Sequence, residues 1–273
     1  MRSALFAAVL LAAAPAAAAD WTPVWTLEGL ADPESVALAP DGRSFFVANV
    51  AGEGDVKDGQ GFISRVSRDG KLLEREWVRG LDAPKRAIVK GQRLFVSDIT
   101  RLGEIDIPTA KVVGAYEAPD AKFLNDVAVA PDGTVLVADS ATARILALQD
   151  GRIVPWSADP QLRAVNGLLP ERHRLLVTTT AGKLLAFDWK SRAATVLAEG
   201  LGDGDGVAPA GDGAYFVSEW PGRLFRVSPD GKAETLIDSR KAGTYINDFI
   251  RVGDLLVVPS WKPGRLAAYR VAP

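Results

Sequence analysis

An internal repeat of about 40 residues runs through almost the whole chain and limits the folds that it can adopt. The clearest copies are LNDVAVAPDGTVLVADSATARILALQDGR (124–152), DGVAPAGDGAYFVSEWPGRLFRVSPDGK (205–232) and ESVALAPDGRSFFVANV (34–50). Weaker copies of the same plan lie at 85–107, 166–189 and 247–271. The chain therefore has six units.

Each copy has the pattern of a small antiparallel sheet. A short apolar run is followed by a turn such as Pro-Asp-Gly, a second run, a Gly-containing turn and a third, alternating run. Such turns between β-branched and aromatic runs are hairpin signals. A fourth run closes most copies, as in RIVPW and AETLI. The pattern predicts an all-β, six-bladed β-propeller with four strands in each blade.

The sixth copy contains only three of its four strands, and the fourth is predicted at the other end of the chain. The segment VWTLEGLADPES (24–35) resembles the unit-end stretches REWVRGLDAPKR (75–86) and VLAEGLGDGDGV (196–207). Residues 21–28 are therefore expected to complete the last blade and close the ring. An open β-solenoid, the alternative for such a repeat, would not need a displaced first strand. We expect residues 20–273 to form a single propeller domain.

The first residues, MRSALFAAVLLAAAPAAAAD, have the pattern of a secretory signal. One cation precedes an apolar run, and small residues precede an expected cleavage site after Ala19. The run is too short for a spanning helix of roughly 20 residues, and no cysteine follows it to take a lipid. Residues 1–19 are thus predicted to be a signal peptide, and the protein is predicted to be secreted or periplasmic.

Composition excludes several kinds of site. The chain has no cysteine and a single histidine, His173, so zinc-thiolate centres, thiolate nucleophiles and histidine dyads cannot be built. A formal net charge of −2 offers no general attraction to nucleic acid or to an anionic membrane. We expect a small-molecule substrate, no nucleic-acid partner, no membrane insertion and a monomer.

One column of polar residues recurs at the start of the first strand in every unit. Because the first strand of a blade is the innermost, these six side chains are expected to converge on the ring axis near one mouth of the channel. The column consists of Glu34, Lys85, Asn125, Asn166, Asp205 and Asn247. Buried polar groups of this kind must be satisfied, since an unpaired one costs roughly 1–3 kcal/mol.

Three interpretations of the column stay open on the residues alone. Its carboxylates and amide carbonyls are the oxygen ligands that Ca²⁺ prefers. Alternatively, Lys85 could pair with Glu34 and neutralise the channel without a metal. The side chains could also cap strand ends or hold water.

The starts of the units resemble those of a known family. The stretches ADPESVAL, FLNDVAVAPDG, AVNGLLP and GDGDGVAPAGDG resemble the blade entrances of the senescence-marker-protein, gluconolactonase and luciferin-regenerating family of six-bladed propellers. The resemblance implies a divalent metal, most simply Ca²⁺ but with Mg²⁺, Mn²⁺ or Zn²⁺ as alternatives, held by Glu34, Asn166 and Asp205. It also implies that Asn125 contacts the substrate or a water in the site.

Many members of that family hydrolyse lactones, and the resemblance assigns the proton-accepting role to Asp205, with Asp126 as a second candidate. Lys85 departs from the family pattern and could bind a substrate carboxylate or phosphate. Asn247 is compatible with substrate binding, although the resemblance gives it no defined role. Asp203, which precedes Asp205 by two residues, is expected to serve the turn.

The sequence therefore predicts an exported, metal-dependent hydrolase of a lactone or a similar small ester. The alternative is a non-catalytic propeller that binds a ligand or a protein, with a Lys85–Glu34 pair in place of the metal. A second enzymatic alternative on the same scaffold is an activity on a sugar or one like that of strictosidine synthase.

Three further features are interpreted as structural. His173 is expected in a solvated turn. Asp98, Asp139 and Glu219 end second strands, and we expect them to cap turns at the mouth opposite to the polar column. The insertion at 51–61 is expected to be a solvated loop, with a lid as the alternative.

Overall fold

The computed structural model describes residues 21–271, which form six sheets of four antiparallel strands each. The predicted signal peptide at 1–19 lies outside the described residues. The innermost strands of consecutive sheets contact one another in chain order, and the last sheet contacts the first. The described chain is therefore the closed six-bladed β-propeller that the repeat predicts.

Blades one to five each take four consecutive strands, from the axis outwards. Blade one contains β2 (Pro33–Leu38), β3 (Ser44–Asn49), β4 (Gly61–Ser67) and β5 (Leu72–Leu81). Blade two contains β6 (Pro84–Lys90), β7 (Arg93–Asp98), β8 (Arg101–Asp106) and β9 (Lys111–Glu117). Blade three contains β10 (Leu124–Val129), β11 (Val135–Asp139), β12 (Arg144–Gln149) and β13 (Arg152–Ser157).

The next two blades have the same plan, and two short 3₁₀ turns, Pro160–Leu162 and Arg240–Ala242, follow blades three and five. Blade four contains β14 (Val165–Pro170), β15 (Arg174–Thr179), β16 (Leu184–Asp188) and β17 (Ala194–Ala198). Blade five contains β18 (Asp203–Gly211), β19 (Ala214–Trp220), β20 (Arg223–Val227) and β21 (Ala233–Asp238). Within residues 21–271, none of the helical segments has the length and apolar character needed to cross a membrane.

Blade six closes the ring with a strand from the other end of the chain. It contains β22 (Ile250–Val252), β23 (Leu255–Ser260), β24 (Arg265–Arg270) and, outermost, β1 (Pro23–Glu28). The pairing is antiparallel, with Leu27 opposite Leu266 and Glu28 opposite Arg265. The closing strand predicted at 21–28 is thus confirmed.

The Pro-Asp-Gly turns between first and second strands have a local physical cause. In blade one, Asp41 Oδ1 accepts hydrogen bonds from the backbone N–H groups of Arg43 (2.8 Å) and Ser44 (3.2 Å). The glycine between them, Gly42, has φ +66°, a conformation that glycine adopts without steric strain. The aspartate and the glycine together therefore reverse the chain.

The hydrophobic core lies between neighbouring blades rather than at the axis. One cluster joins blades three and four through side chains such as Leu136, Leu175 and Phe187. Another joins blades six and one through Phe45, Leu266 and their neighbours. Packing between the blades therefore leaves the axis to the polar starts of the innermost strands.

The closing strand generates a stability prediction. Trp25 in β1 packs against Phe45 of blade one, with ring centroids 6.4 Å apart, and lies over Gly70 of the same blade. Because the indole is only half-buried, we expect Trp25→Ala to lower the free energy of unfolding by about 2 kcal/mol in urea titrations.

The matched control is Val24→Ala on the same strand, where the side chain is exposed. It should change stability by less than about 0.5 kcal/mol. Equal effects of the two substitutions would mean that β1 does not connect blade six to blade one.

Candidate functional site

A cavity of about 280 Å³ opens at one mouth of the ring and brings the predicted column together. All six column residues line it: Glu34, Lys85, Asn125, Asn166, Asp205 and Asn247. The aromatic side chains of Phe123, Trp220 and Trp261 form apolar walls. The cavity thus combines apolar surface with a set of charged and amide groups, as small-molecule sites commonly do.

An irregularity in strand pairing places the column residues at the axis. In blades one to five the pairing between first and second strands shifts register where the column residue lies, for example between Pro33 and Ser35 and between Pro84 and Ala87. Such a bulge bends the strand and redirects its side chains. In blade six, Asn247 lies three residues before the start of β22, and its backbone N–H donates to Pro259 O (3.2 Å).

Hydroxyl groups from second strands satisfy the backbone at these bulges. Ser97 Oγ donates to Asn125 O and accepts from Arg86 N (3.1 Å). Thr178 Oγ1 donates to Asp205 O and accepts from Gly167 N (2.8 Å). The column backbones are therefore held by hydrogen bonds that leave their side chains available to the cavity.

Three buried oxygens of the column have no hydrogen-bond partner among the described residues: Glu34 Oε2, Asn166 Oδ1 and Asn247 Oδ1. Their side chains are nearly inaccessible, with exposed fractions of 6 %, 7 % and 2 %. Since unsatisfied buried acceptors are unfavourable, these oxygens favour a bound cation or a ligand with donor groups. The described residues contain no group of three or more His, Cys, Asp or Glu placed to hold a metal, so such a site would depend on asparagine oxygens.

The two carboxyl groups of the column have strongly perturbed acidity. Burial raises the pKa of Glu34 to about 8 against the opposing charge of Lys85. Burial and then the nearby Glu34 carboxylate raise the pKa of Asp205 well above its ordinary value. A cation between these carboxyl groups would offset both effects, because it favours the charged form.

Lys85 lies on the wall formed by blade two. Its Nζ donates to Gly54 O (2.7 Å) in the insertion between β3 and β4, and it faces the rings of Phe123 (5.2 Å) and Trp261 (5.9 Å). Burial lowers the pKa of Lys85, although Glu34 opposes this shift. Among the described residues, no carboxylate oxygen lies within 4.0 Å of Lys85 Nζ, so the direct Lys85–Glu34 pair is not formed.

Below the cavity lies an ion-pair cluster that sequence reasoning missed. Arg86 Nε is 3.2 Å from Asp126 Oδ1, and another guanidinium nitrogen donates to Asp248 Oδ2. Asp126 also accepts from the N–H groups of Val127 (2.7 Å) and Leu168. Asp126, predicted as a substrate-binding residue or base, therefore does not line the cavity but belongs to this cluster.

The sequence did contain a signal for the cluster. The dipeptide Asn-Asp occurs at the column in blades three and six, and its aspartates are Asp126 and Asp248. The glycine at the equivalent position of blade five, Gly206, makes room for one of them. A Cβ on Gly206 would lie 2.3 Å from Asp248 Oδ1.

Two interpretations of acidic residues from the sequence need correction. Asp98, Asp139 and Glu219 lie at the same mouth as the column, because antiparallel pairing puts the end of each second strand beside the start of the first. Asp98 there accepts from Asp82 N (3.0 Å) and Ala83 N (2.8 Å), which lead into β6.

Asp203 belongs to β18 and lines the cavity rather than only serving a turn.

The insertion at 51–61 is mostly exposed, as expected, but hydrogen bonds connect it to blade two and to the segment that leads into it. Lys57 Nζ donates to Thr100 Oγ1 (2.6 Å), and Gly59 N donates to Asp82 Oδ1 (3.1 Å). His173 is exposed in the turn between β14 and β15, as expected, at the end of blade four away from the cavity.

Comparison with known proteins identifies the fold and not the activity. No protein-family model and no curated protein matches the chain. Two solved structures of virginiamycin B lyase from Staphylococcus aureus resemble it with TM-scores of 0.63. They are 14 % and 11 % identical to it, and the alignments cover 91 % of this chain and 88 % and 99 % of those chains. A streptogramin B lyase structure resembles it with a TM-score of 0.66 and 9 % identity over 92 % of this chain and 99 % of that one.

The Arg86 cluster generates a stability prediction. Arg86→Met would leave Asp126 and Asp248 buried without their cation, so we expect a loss of about 3–5 kcal/mol in the free energy of unfolding. Burial already raises the pKa of Asp126 to about 7 against Arg86, and it raises the pKa of Asp248. Without Arg86 both pKa values rise further above those of the unfolded chain.

A raised folded-state pKa adds stability at low pH that is lost as pH rises through it. The deficit of Arg86→Met should therefore be larger at pH 8 than at pH 5 in urea titrations. Arg43→Met, at an exposed arginine of blade one, is the matched control and should be nearly neutral at both pH values. A pH-independent deficit would contradict the charge-balancing role of Arg86.

Proposed function

We propose that the protein is an exported, metal-dependent hydrolase of a lactone or a similar small ester, of the gluconolactonase type. The observation that carries the proposal is the set of three buried, unpartnered oxygens at one cavity, on Glu34, Asn166 and Asn247. Two of these residues coincide with ligand positions that the family resemblance implies. The likeness to solved propellers supports the scaffold alone, since it lies below 25 % identity.

Glu34, Asn166 and Asp205 would hold a divalent cation, with Ca²⁺ favoured because carboxylate and amide oxygens are its preferred ligands. A bound cation of this kind supplies Lewis-acid polarisation of a carbonyl and stabilises the negative charge that develops on its oxygen. Asn247 offers a further amide oxygen on the same cavity. The fit rests on these oxygens rather than on any cluster of three acidic residues.

The remaining residues of the cavity can orient the substrate and move a proton. Asp205 Oδ would accept the proton of the attacking water, the role that the resemblance assigns to it, and would return it to the leaving ester oxygen as the bond between that oxygen and the acyl carbon breaks. The Asn125 side chain lines the same cavity, where its amide N–H groups can donate to a substrate oxygen. Its backbone is held in place by the hydrogen bond from Ser97 Oγ to Asn125 O.

The solved lyases suggest a different reaction on the same fold, but one observation disfavours it here. One of those structures is a catalytically inactive enzyme in which a histidine is replaced by alanine, bound to quinupristin. The only histidine of this chain, His173, is exposed in a turn away from the cavity. A lyase reaction that needs a histidine therefore has no candidate residue at this site.

A non-catalytic binding propeller is the second candidate. It is favoured by Lys85 of the adjacent blade, whose positive charge lowers the pKa of Glu34 and so partly replaces the charge of a cation. Metal analysis of the purified protein discriminates the two, since a metal-free protein that does not respond to added Ca²⁺ would favour the binding module. N-terminal sequencing of the exported protein would test cleavage after Ala19.

The hydrolase proposal makes a direct prediction. Hydrolysis of glucono-δ-lactone, γ-butyrolactone or phenyl acetate should be lost after treatment with a chelator and return with Ca²⁺, Mg²⁺, Mn²⁺ or Zn²⁺. Glu34→Gln and Asp205→Asn should each lower bound metal and reduce the rate by at least about a hundredfold, because each removes a charged group from the reacting centre.

The matched control is Asp150→Asn, at an exposed turn on the opposite face of blade three, where asparagine tolerates the φ of 49°. This variant should keep wild-type metal content and rate. Wild-type hydrolysis in Glu34→Gln and Asp205→Asn, with unchanged metal content, would refute the assignment.

A further inference from the structure

We propose that the Lys85 wall of the cavity is a subsite for the carboxylate of a ligand whose apolar body lies against Phe123 and Trp261. The subsite is separate from the candidate metal ligands Glu34, Asn166 and Asp205. Its position relative to a scissile ester rests on the proposed function, whereas the binding of a carboxylate does not.

The Lys85 ammonium is buried and makes one hydrogen bond among the described residues. The side chain has an exposed fraction of only 4 %, and its single hydrogen bond in the described part of the chain goes to Gly54 O. An ammonium has three donors, and two of them are left toward the cavity. A buried charge with so few partners is unfavourable unless a ligand supplies an acceptor.

Three carboxylates act on Lys85 through their charge, those of Glu34, Asp98 and Asp55, and none of them forms an ion pair with it. Asp98 is occupied by Arg101 and by the N–H groups that lead into β6. Asp55 is exposed in the insertion, and Glu34 Oε2 has no hydrogen-bond partner among the described residues. The charge of Lys85 is therefore available to an incoming anion.

Aromatic rings form the wall around the Lys85 ammonium. The rings of Phe123 and Trp261 lie 5.2 Å and 5.9 Å from Lys85 Nζ. Trp220, packed edge-on against Tyr245 at 5.4 Å, extends the apolar surface toward the mouth. An anion bound here would be partly removed from water, which strengthens its attraction to Lys85.

The charge balance of the cavity selects a monoanion. Within residues 21–271, Lys85 is the only lysine or arginine that lines it, and the acidic residues Glu34, Asp203 and Asp205 line it as well. A dianionic phosphate would bring a second negative charge into a cavity that offers one ammonium, whereas one carboxylate matches one ammonium. Because blades two and five face each other across a six-bladed ring, a carboxylate at Lys85 would leave the rest of the ligand directed toward Asp205.

The experiment compares two probes of the same shape that carry no ester or lactone bond, phenylacetate and phenylacetamide. Titration followed by tryptophan fluorescence at pH 7.5 should show that the wild-type protein binds phenylacetate at least about tenfold more tightly, because a charge-assisted hydrogen bond is worth about that much. Lys85→Met should reduce phenylacetate binding to the level of the amide. Inorganic phosphate should bind more weakly than phenylacetate.

The matched control is Lys90→Met, at the exposed other end of the same strand, which should keep the tenfold preference. Equal binding of the two probes by the wild-type protein, or a preference that survives in Lys85→Met, would overturn the proposal. Tighter binding of phosphate would overturn the choice of a carboxylate. If Lys85→Met does not fold, Lys85→Gln gives the same test, and equal binding of the two probes by the wild-type protein overturns the proposal in either case.

The two proposals can fail separately. Lactone hydrolysis without a preference for phenylacetate would support the hydrolase and remove the carboxylate subsite. A Lys85-dependent preference for phenylacetate in a protein that hydrolyses no lactone would support the subsite and favour the binding module.

Discussion

The pairing of β1 with β24 fixes six innermost strands around one axis, and the remaining structure depends on that closure. A closed ring leaves each blade with two neighbours, so apolar side chains between blades are buried without a central core. The first residues of the six innermost strands then lie close together around the axis, independently of their residue types. Polar residues at that position must therefore find partners across the axis, in the backbone or in a ligand.

Two layers of polar residues meet this requirement in different ways. In the lower layer, Arg86 pairs with Asp126 and Asp248, and backbone N–H groups satisfy the remaining acceptors of Asp126. In the upper layer, Glu34 and Asn166 each keep a buried oxygen with no hydrogen-bond partner among the described residues. The lower layer balances its charges by ion pairs within the protein, whereas the upper layer keeps acceptor groups that a ligand can use.

The sequence alone predicted the number of blades, the closing strand and the convergence of the six column residues on one cavity, because these follow from period and register. It did not predict Arg86 at the axis, since strict alternation along a strand would turn consecutive side chains to opposite faces. The bulge at Pro84–Ala87 breaks that alternation and brings both Lys85 and Arg86 to the channel. Asp98 was misplaced for a different reason, because its mouth depends on strand direction rather than on residue pattern.

The two layers also explain why Lys85 is not simply the counterion of Glu34. The Arg86 guanidinium supplies a positive charge at the axis. Its charge and that of Lys85 both act to lower the pKa of Glu34. The insertion that blade one adds at 51–61 then holds Lys85 away through Gly54 O, against the rings of Phe123 and Trp261. A cavity with a cation on one wall and acidic and amide oxygens on the others is polarised, and a ligand with an anionic end and an electrophilic carbonyl can bind in it in one orientation.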